Sequence, residues 1–127
     1  QIFTEIFRST RRIASYKVKV ATLDSYCHRQ NISKIDFLKI DVEGSEHLVL
    51  RGASKMISKK RIDWIQFEFN IHNIYSRIFM KDFYKILNGY HLYRLLPTGL
   101  HPLGEYSTDY EVFRYQNILA SKSKLPL

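Results

Sequence analysis

The run Ile35-Asp36-Phe37-Leu38-Lys39-Ile40-Asp41-Val42-Glu43-Gly44-Ser45-Glu46 decides the fold. Ile35, Phe37, Leu38, Ile40 and Val42 make a near-continuous apolar stretch of strand length. Such a stretch reads as a central strand of a parallel sheet covered on both faces. Asp41 stands at its carboxyl end. Open α/β sheets bind ligands beyond the carboxyl ends of their strands, so an acid here lies at the functional edge. Gly44 permits a sharp turn, and Ser45 is suited to cap a following helix. Glu46 falls in that helix's first turn, where the dipole favours negative charge.

Upstream, Lys17-Val18-Lys19-Val20-Ala21-Thr22 alternates cleanly, which predicts a strand over 17–22 with one apolar face. Asp24 is expected to cap a helix over 24–30. Residues 1–16 show helical spacing at Ile2, Phe3, Ile6 and Phe7 but no single period. Downstream, Leu48, Val49, Ala53, Met56 and Ile57 recur at spacings of three and four, predicting one helix over 45–58. Gly52 interrupts it at a cost of about 1 kcal/mol relative to Ala, so a kink or a close packing contact is expected there. Residues 62–69 read as a strand. Strand, helix, strand is a βαβ unit, so 35–42 and 62–69 should run parallel and bring Asp41 and Glu68 to one edge. Residues 70–78 read as a functional loop or helical turn, and 79–87 as a helix closed by Asn88-Gly89. Strands over 90–96 and 112–119, with no helix between them, should pair antiparallel. Residues 100–110 read as loop, and 121–127 as a frayed tail.

The 127 residues suffice for one core. No apolar run approaches the roughly 20 residues of a membrane span. The one cysteine, Cys27, excludes an intrachain disulfide and reads as a buried, unreactive thiol. A reducing, cytoplasmic setting is therefore expected. The net charge of +8 is spread along the chain, densest at Arg8-Arg11-Arg12-Lys17-Lys19 and Lys55-Lys59-Lys60-Arg61. Such groups read first as solvated faces and as cations at a helix end.

Val20-Ala21-Thr22-Leu23-Asp24, the 35–46 run, and Leu50-Arg51-Gly52-Ala53 together resemble the FkbM family of S-adenosylmethionine-dependent methyltransferases. Ile65-Gln66-Phe67-Glu68-Phe69-Asn70 is similar to that family's next strand. Residues 93–100, with Glu111 and Asn117, are similar to its closing segment. The resemblance implies an α/β fold, a Rossmann-like methyltransferase half-domain with a mostly parallel sheet and a C-terminal antiparallel strand pair. It assigns 17–120 to the C-terminal part of that domain, and 1–16 to an extension or a remnant of the first half. The family's Gly-rich cofactor turn has no counterpart: Gly44, Gly52, Gly89, Gly99 and Gly104 make no Gly-x-Gly pattern. With Gln1 in place of an initiator Met, the chain is expected to be a fragment that binds the cofactor poorly. Its Ile35–Val42 strand should then be an exposed edge inviting self-association.

The resemblance and the strand-end placement name the candidate residues. Asp41, Glu68 and His72 are candidates for catalysis, the carboxylates or the imidazole taking a hydroxyl proton. Asp41 and Glu43 are candidates for holding S-adenosylmethionine, Asp41 at its methionine end. Asn70 and Tyr75 are candidates for contacting a small-molecule or glycan acceptor, with Phe79, Tyr106 and Tyr110 as further rings near the site. The spacing of Asp41, Glu43, Glu46 and His47 matches no metal motif; Glu46 reads as a capping residue and His47 as a surface residue. The expected reaction is methyl transfer to a hydroxyl of a sugar or natural product. The alternatives are a basic nucleic-acid-binding or metal-dependent nuclease-like α/β module, pairing Asp41 with Glu68, and a degenerate domain kept for interaction; nucleic acid is not the favoured partner.

Overall fold

Strand β1 (Ile35–Ile40) lies parallel to β2 (Ile62–Phe69), with Ile35 opposite Ile62 and Ile40 opposite Phe67. This is the expected βαβ pairing, and among the described residues it is the sheet's one parallel pair. The computed structural model describes residues 17–126. Residues 1–16, with the expected N-terminal extension, lie outside the described residues. Strands β3 (His91–Leu96), β4 (Gly99–Leu103) and β5 (Gln116–Ser121) complete a five-stranded sheet of order β1-β2-β5-β3-β4.

The sheet is therefore mostly antiparallel, which corrects the expectation of a mostly parallel one. β3 and β5 pair antiparallel as expected, but β5 also inserts beside β2, with Glu68 opposite Asn117. Strand β4 lies within the segment expected to be loop. Pro97 and Thr98 turn the chain back on β3, and Gly99, which opens β4 opposite Leu96, takes φ +130, which favours glycine. Strand β1, central by its apolar run but expected at an edge without the family's first half, pairs with β2 alone among the described residues. Its apolar run is accordingly half covered. Ile40 is buried, whereas Phe37 is 54% exposed.

The apolar stripe over 45–58 splits into α2 (Glu46–Arg51) and α3 (Ser54–Ser58). Gly52 ends α2, so the interruption expected at this position is a break between two helices; a Cβ there would sit 3.4 Å from the Thr22 side chain, an ordinary van der Waals contact. Helix α1 (Leu23–Arg29) is capped by Thr22, whose hydroxyl accepts from the Ser25 N–H at 3.2 Å. Asp24 was the expected cap of α1 but serves α3 instead. Its carboxylate accepts from the N–H of Lys55 at 2.9 Å and of Met56 at 3.0 Å, two donors that a helix start leaves unpaired. The alternating segment 17–22 forms no strand; Val18 and Val20 are exposed, and neither enters the sheet. Alternation marks a strand only where a ladder partner stands beside it.

Leu50, Met56 and Ile57 join Ile40, Ile65, Phe67 and Phe69 in the core, with Phe83 of α5 (Met80–Ile86) stacked on Phe67 at 4.5 Å. Cys27 is buried, as expected. His47 is buried too, against the expectation of a surface residue, and its Nδ1 has no partner among the described residues. Glu111 reaches back from the segment before β5 to cap α5, accepting from Met80 N–H at 2.8 Å and Lys81 N–H at 3.0 Å. The segment expected to fray from Ser121 is held: Ser121 ends β5, Lys122 pairs with Asp63, and Leu125 N–H donates to the Tyr93 hydroxyl at 2.9 Å.

Two outcomes are expected. Asp24→Ala removes the α3 cap and should cost about 1 kcal/mol, read as a lower midpoint in chemical denaturation; an unchanged midpoint would count against the cap. Burial, with the Arg51 cation second, holds the His47 imidazole below its ordinary value of 6.5. The unfolded chain then takes up the proton first. Stability should be full well above pH 6.5 and fall as the pH drops through and below it, with a shallower fall in His47→Gln. Equal slopes for both proteins would refute a buried neutral His47.

Candidate functional site

The carboxyl ends of β1 and β2 meet the amino end of β5 at one rim of the sheet. Since Ile40 lies opposite Phe67, the next residues, Asp41 and Glu68, come side by side. They share the sheet face that carries Gln66 and Asn117, away from the Phe67 core face. The expected juxtaposition is therefore present.

Glu68 is buried, and its carboxylate is engaged. The Tyr115 hydroxyl donates to Oε1 at 2.6 Å, and Asn70 Nδ2 lies 3.5 Å from Oε2. Asn117 Nδ2 lies 3.3 Å from the Tyr115 hydroxyl, and Gln66 Nε2 donates to Asn117 Oδ1 at 3.0 Å. Hydrogen bonding to the Glu68 carboxylate holds the Tyr115 phenol above its ordinary value of 10, and the nearby Asp41 charge acts in the same direction.

The turn after β1 is built around one buried carboxylate. Glu46 Oε1 accepts from Val42 N–H and Gly44 N–H, each at 3.2 Å. Glu46 is 1% exposed, and Oε2 has no partner among the described residues. Ser45 precedes α2 but makes no side-chain capping bond; Glu46 instead binds the turn behind it. Glu43 and Gly44 both take positive φ, +52 and +94. At Gly44 a Cβ would fall 2.7 Å from the His72 Cβ, so glycine is required by both backbone and packing. This packing seats His72, the first residue of α4 (His72–Ser76), beside Glu43, with Nε2 3.5 Å from its carboxylate.

Glu43, Glu68, Asn70 and His72 line an open cleft of about 490 Å³, together with Ile71, Phe113, Arg114 and Tyr115. Four of the six residues expected in the site are thus brought together. Asp41 borders them at the rim, 45% exposed and 3.2 Å from Lys39 Nζ. Asn70 is buried, and its Oδ1 accepts from His72 N–H at 2.8 Å, so much of its polar capacity holds the start of α4. Tyr75 is exposed on α4 and does not line the cleft. Tyr106 and Tyr110 lie elsewhere, packed on Tyr84. Phe79 touches the cleft only through Phe113, edge to face at 5.9 Å. A larger hollow of about 650 Å³, between Tyr84, Tyr90 and Pro102, includes none of Asp41, Glu43 and Glu68.

Sequence reasoning missed Phe113, Arg114 and Tyr115. Their position follows from the β2–β5 pairing: antiparallel strands bring the start of one to the end of the other. Gln66 and Asn117 carried a signal, as polar residues within otherwise apolar strands. Among the described residues, no group of three or more His, Cys, Asp and Glu side chains stands close enough to hold a metal, and no helix is long and apolar enough to cross a membrane.

Searches of curated proteins and of solved structures gave no match. The profile of the family described as Methyltransferase FkbM domain matches residues 1–91, more than half of the chain, and ends before β4 and β5. With the strand-end acids inside the matched span, the chain belongs to the FkbM methyltransferase domain family.

Proposed function

We propose that this rim serves S-adenosylmethionine-dependent methyl transfer to a hydroxyl oxygen of a sugar or natural-product acceptor. One observation carries the reading: a buried carboxylate, Glu68, opens onto a cleft at the carboxyl ends of two parallel strands. Burial and neighbouring donors restrict its orientation, which is what a proton acceptor in such a reaction needs.

Glu68 takes the acceptor's hydroxyl proton in this reading. His72, in the same cleft and beside Glu43, is the second proton-accepting group within reach of an acceptor. When bound, the donor supplies an electrophilic methyl group on a sulfonium sulfur. Asp41 and Glu43 are exposed carboxylates on the same rim, and they fit the ammonium end of such a donor. The nucleotide end finds no such fit. The space beside Gly44 is filled by His72, and none of the chain's glycines forms a Gly-x-Gly turn. We therefore expect these 127 residues alone to bind the donor weakly.

Two measurements test this. Calorimetry with S-adenosylmethionine should give weak or undetectable heat on the 127-residue chain. Tight binding to the 127 residues would contradict the weak fit. In the full product, Glu68→Gln keeps the side chain's shape and should lower kcat for methylation of a hydroxylated acceptor by about a hundredfold or more. Unchanged turnover would remove Glu68 as the base.

A further inference from the structure

We infer that Tyr115 is a positioning residue for Glu68, occupying Oε1 and leaving Oε2 as the atom that receives the acceptor's proton. The inference rests on the reading of Glu68 as base. It goes further by choosing between that carboxylate's two oxygens and by assigning a role to a residue beyond the matched span of 1–91.

Three observations support it. The contacts at the two oxygens are unequal: 2.6 Å from the Tyr115 hydroxyl to Oε1, against 3.5 Å from Asn70 Nδ2 to Oε2. A hydroxyl donor at 2.6 Å to a carboxylate is within the range of a strong, charge-assisted bond, whereas 3.5 Å is at the limit of any. Oε2 is therefore the oxygen with capacity to spare. Second, Tyr115 is itself held. Its hydroxyl is 3.3 Å from Asn117 Nδ2, and Asn117 is tied across the sheet to Gln66 at 3.0 Å. Gln66 and Glu68 lie on β2, Asn117 on β5 and Tyr115 immediately before β5, so the row ties the carboxylate's orientation to two paired strands through the residue that leads into the second. Third, Tyr115 has ring surface to present to the cleft. It is 67% exposed and lines the same cleft as Glu68 and His72. A tyrosine kept only for packing would bury its ring; this one leaves its ring exposed and donates its hydroxyl proton to a buried acid.

The proton path follows. The acceptor's O–H bond breaks toward Glu68 Oε2, its oxygen bonds the methyl carbon as that carbon's bond to the donor sulfur breaks with the electron pair left on the departing thioether, and Tyr115 keeps its own proton throughout. The phenol, held above its ordinary value of 10, stays protonated at neutral pH, as this role requires.

The test uses tyrosine labelled with carbon-13 at the ring carbon bearing oxygen, followed by NMR against pH in the 127-residue chain. The Tyr115 signal is assigned by its loss in Tyr115→Phe. It should titrate above about 10 in the unmodified chain and fall toward 10 in Glu68→Gln. In the full product of the gene, Tyr115→Phe should lower kcat about tenfold while KM stays within about twofold, the mark of an interaction that acts on the chemical step. A Tyr115 signal that titrates identically with and without Glu68 overturns the inference, as does a Tyr115→Phe protein with unchanged kcat. If the signal shifts as expected but Glu68→Gln turns over at the normal rate, the contact stands while the base reading fails, and the inference falls with it.

Discussion

The parallel register between β1 and β2 is the constraint on which the site depends. Because Ile40 is held opposite Phe67, the residues that follow each strand leave the sheet at the same edge. Antiparallel pairing would send Asp41 to the far end of β2. A slip of one residue would turn Glu68 to the Phe67 face, where an acid would lie against the core. The register is fixed by apolar residues on the core side: Ile40, Ile65 and Phe67 are all buried against the helices, and Phe83 stacks on Phe67.

Four acids at this rim divide among three tasks, and burial separates them. Glu46 is fully buried and bonds the backbone of the turn it follows, so it shapes the loop. Glu68 is buried but opens onto the cleft, with a phenol on one oxygen. Asp41 and Glu43 are exposed, Asp41 beside the Lys39 ammonium and Glu43 beside the His72 ring. Exposed pairs of this kind contribute little to stability, so these two carboxylates can change partners at small cost. Gly44 links the groups: its missing side chain lets His72 approach the turn and so sets the cleft's edge.

Much of this was legible in the residues. The apolar run 35–42 ending in Asp41, and the run 62–69 carrying Glu68, were enough to place two acids on one edge, because a helical crossover implies parallel strands. What was not legible depended on partners distant in sequence. The Lys17–Thr22 alternation looked like a strand but has no ladder partner among the described residues. Asp24 looked like a local cap and instead caps α3, thirty-one residues on at Lys55. His47, an ordinary polar residue by sequence, is enclosed where α2 packs. The insertion of β5 between β2 and β3 makes the sheet mostly antiparallel, and nothing in the pattern of the last strand specified two neighbours rather than one. That insertion also delivers Tyr115 to the site, which is why the residue was missed.

The most direct measurement is the set of cross-strand nuclear Overhauser contacts in the 127-residue chain. Parallel pairing in this register predicts backbone contacts of Lys39 and Ile40 with Gln66 and Phe67, and Asp41 adjacent to Glu68. Contacts of Asp41 with Ile62 or Asp63 instead would place the two carboxylates at opposite ends of the sheet, and the site described here would not exist.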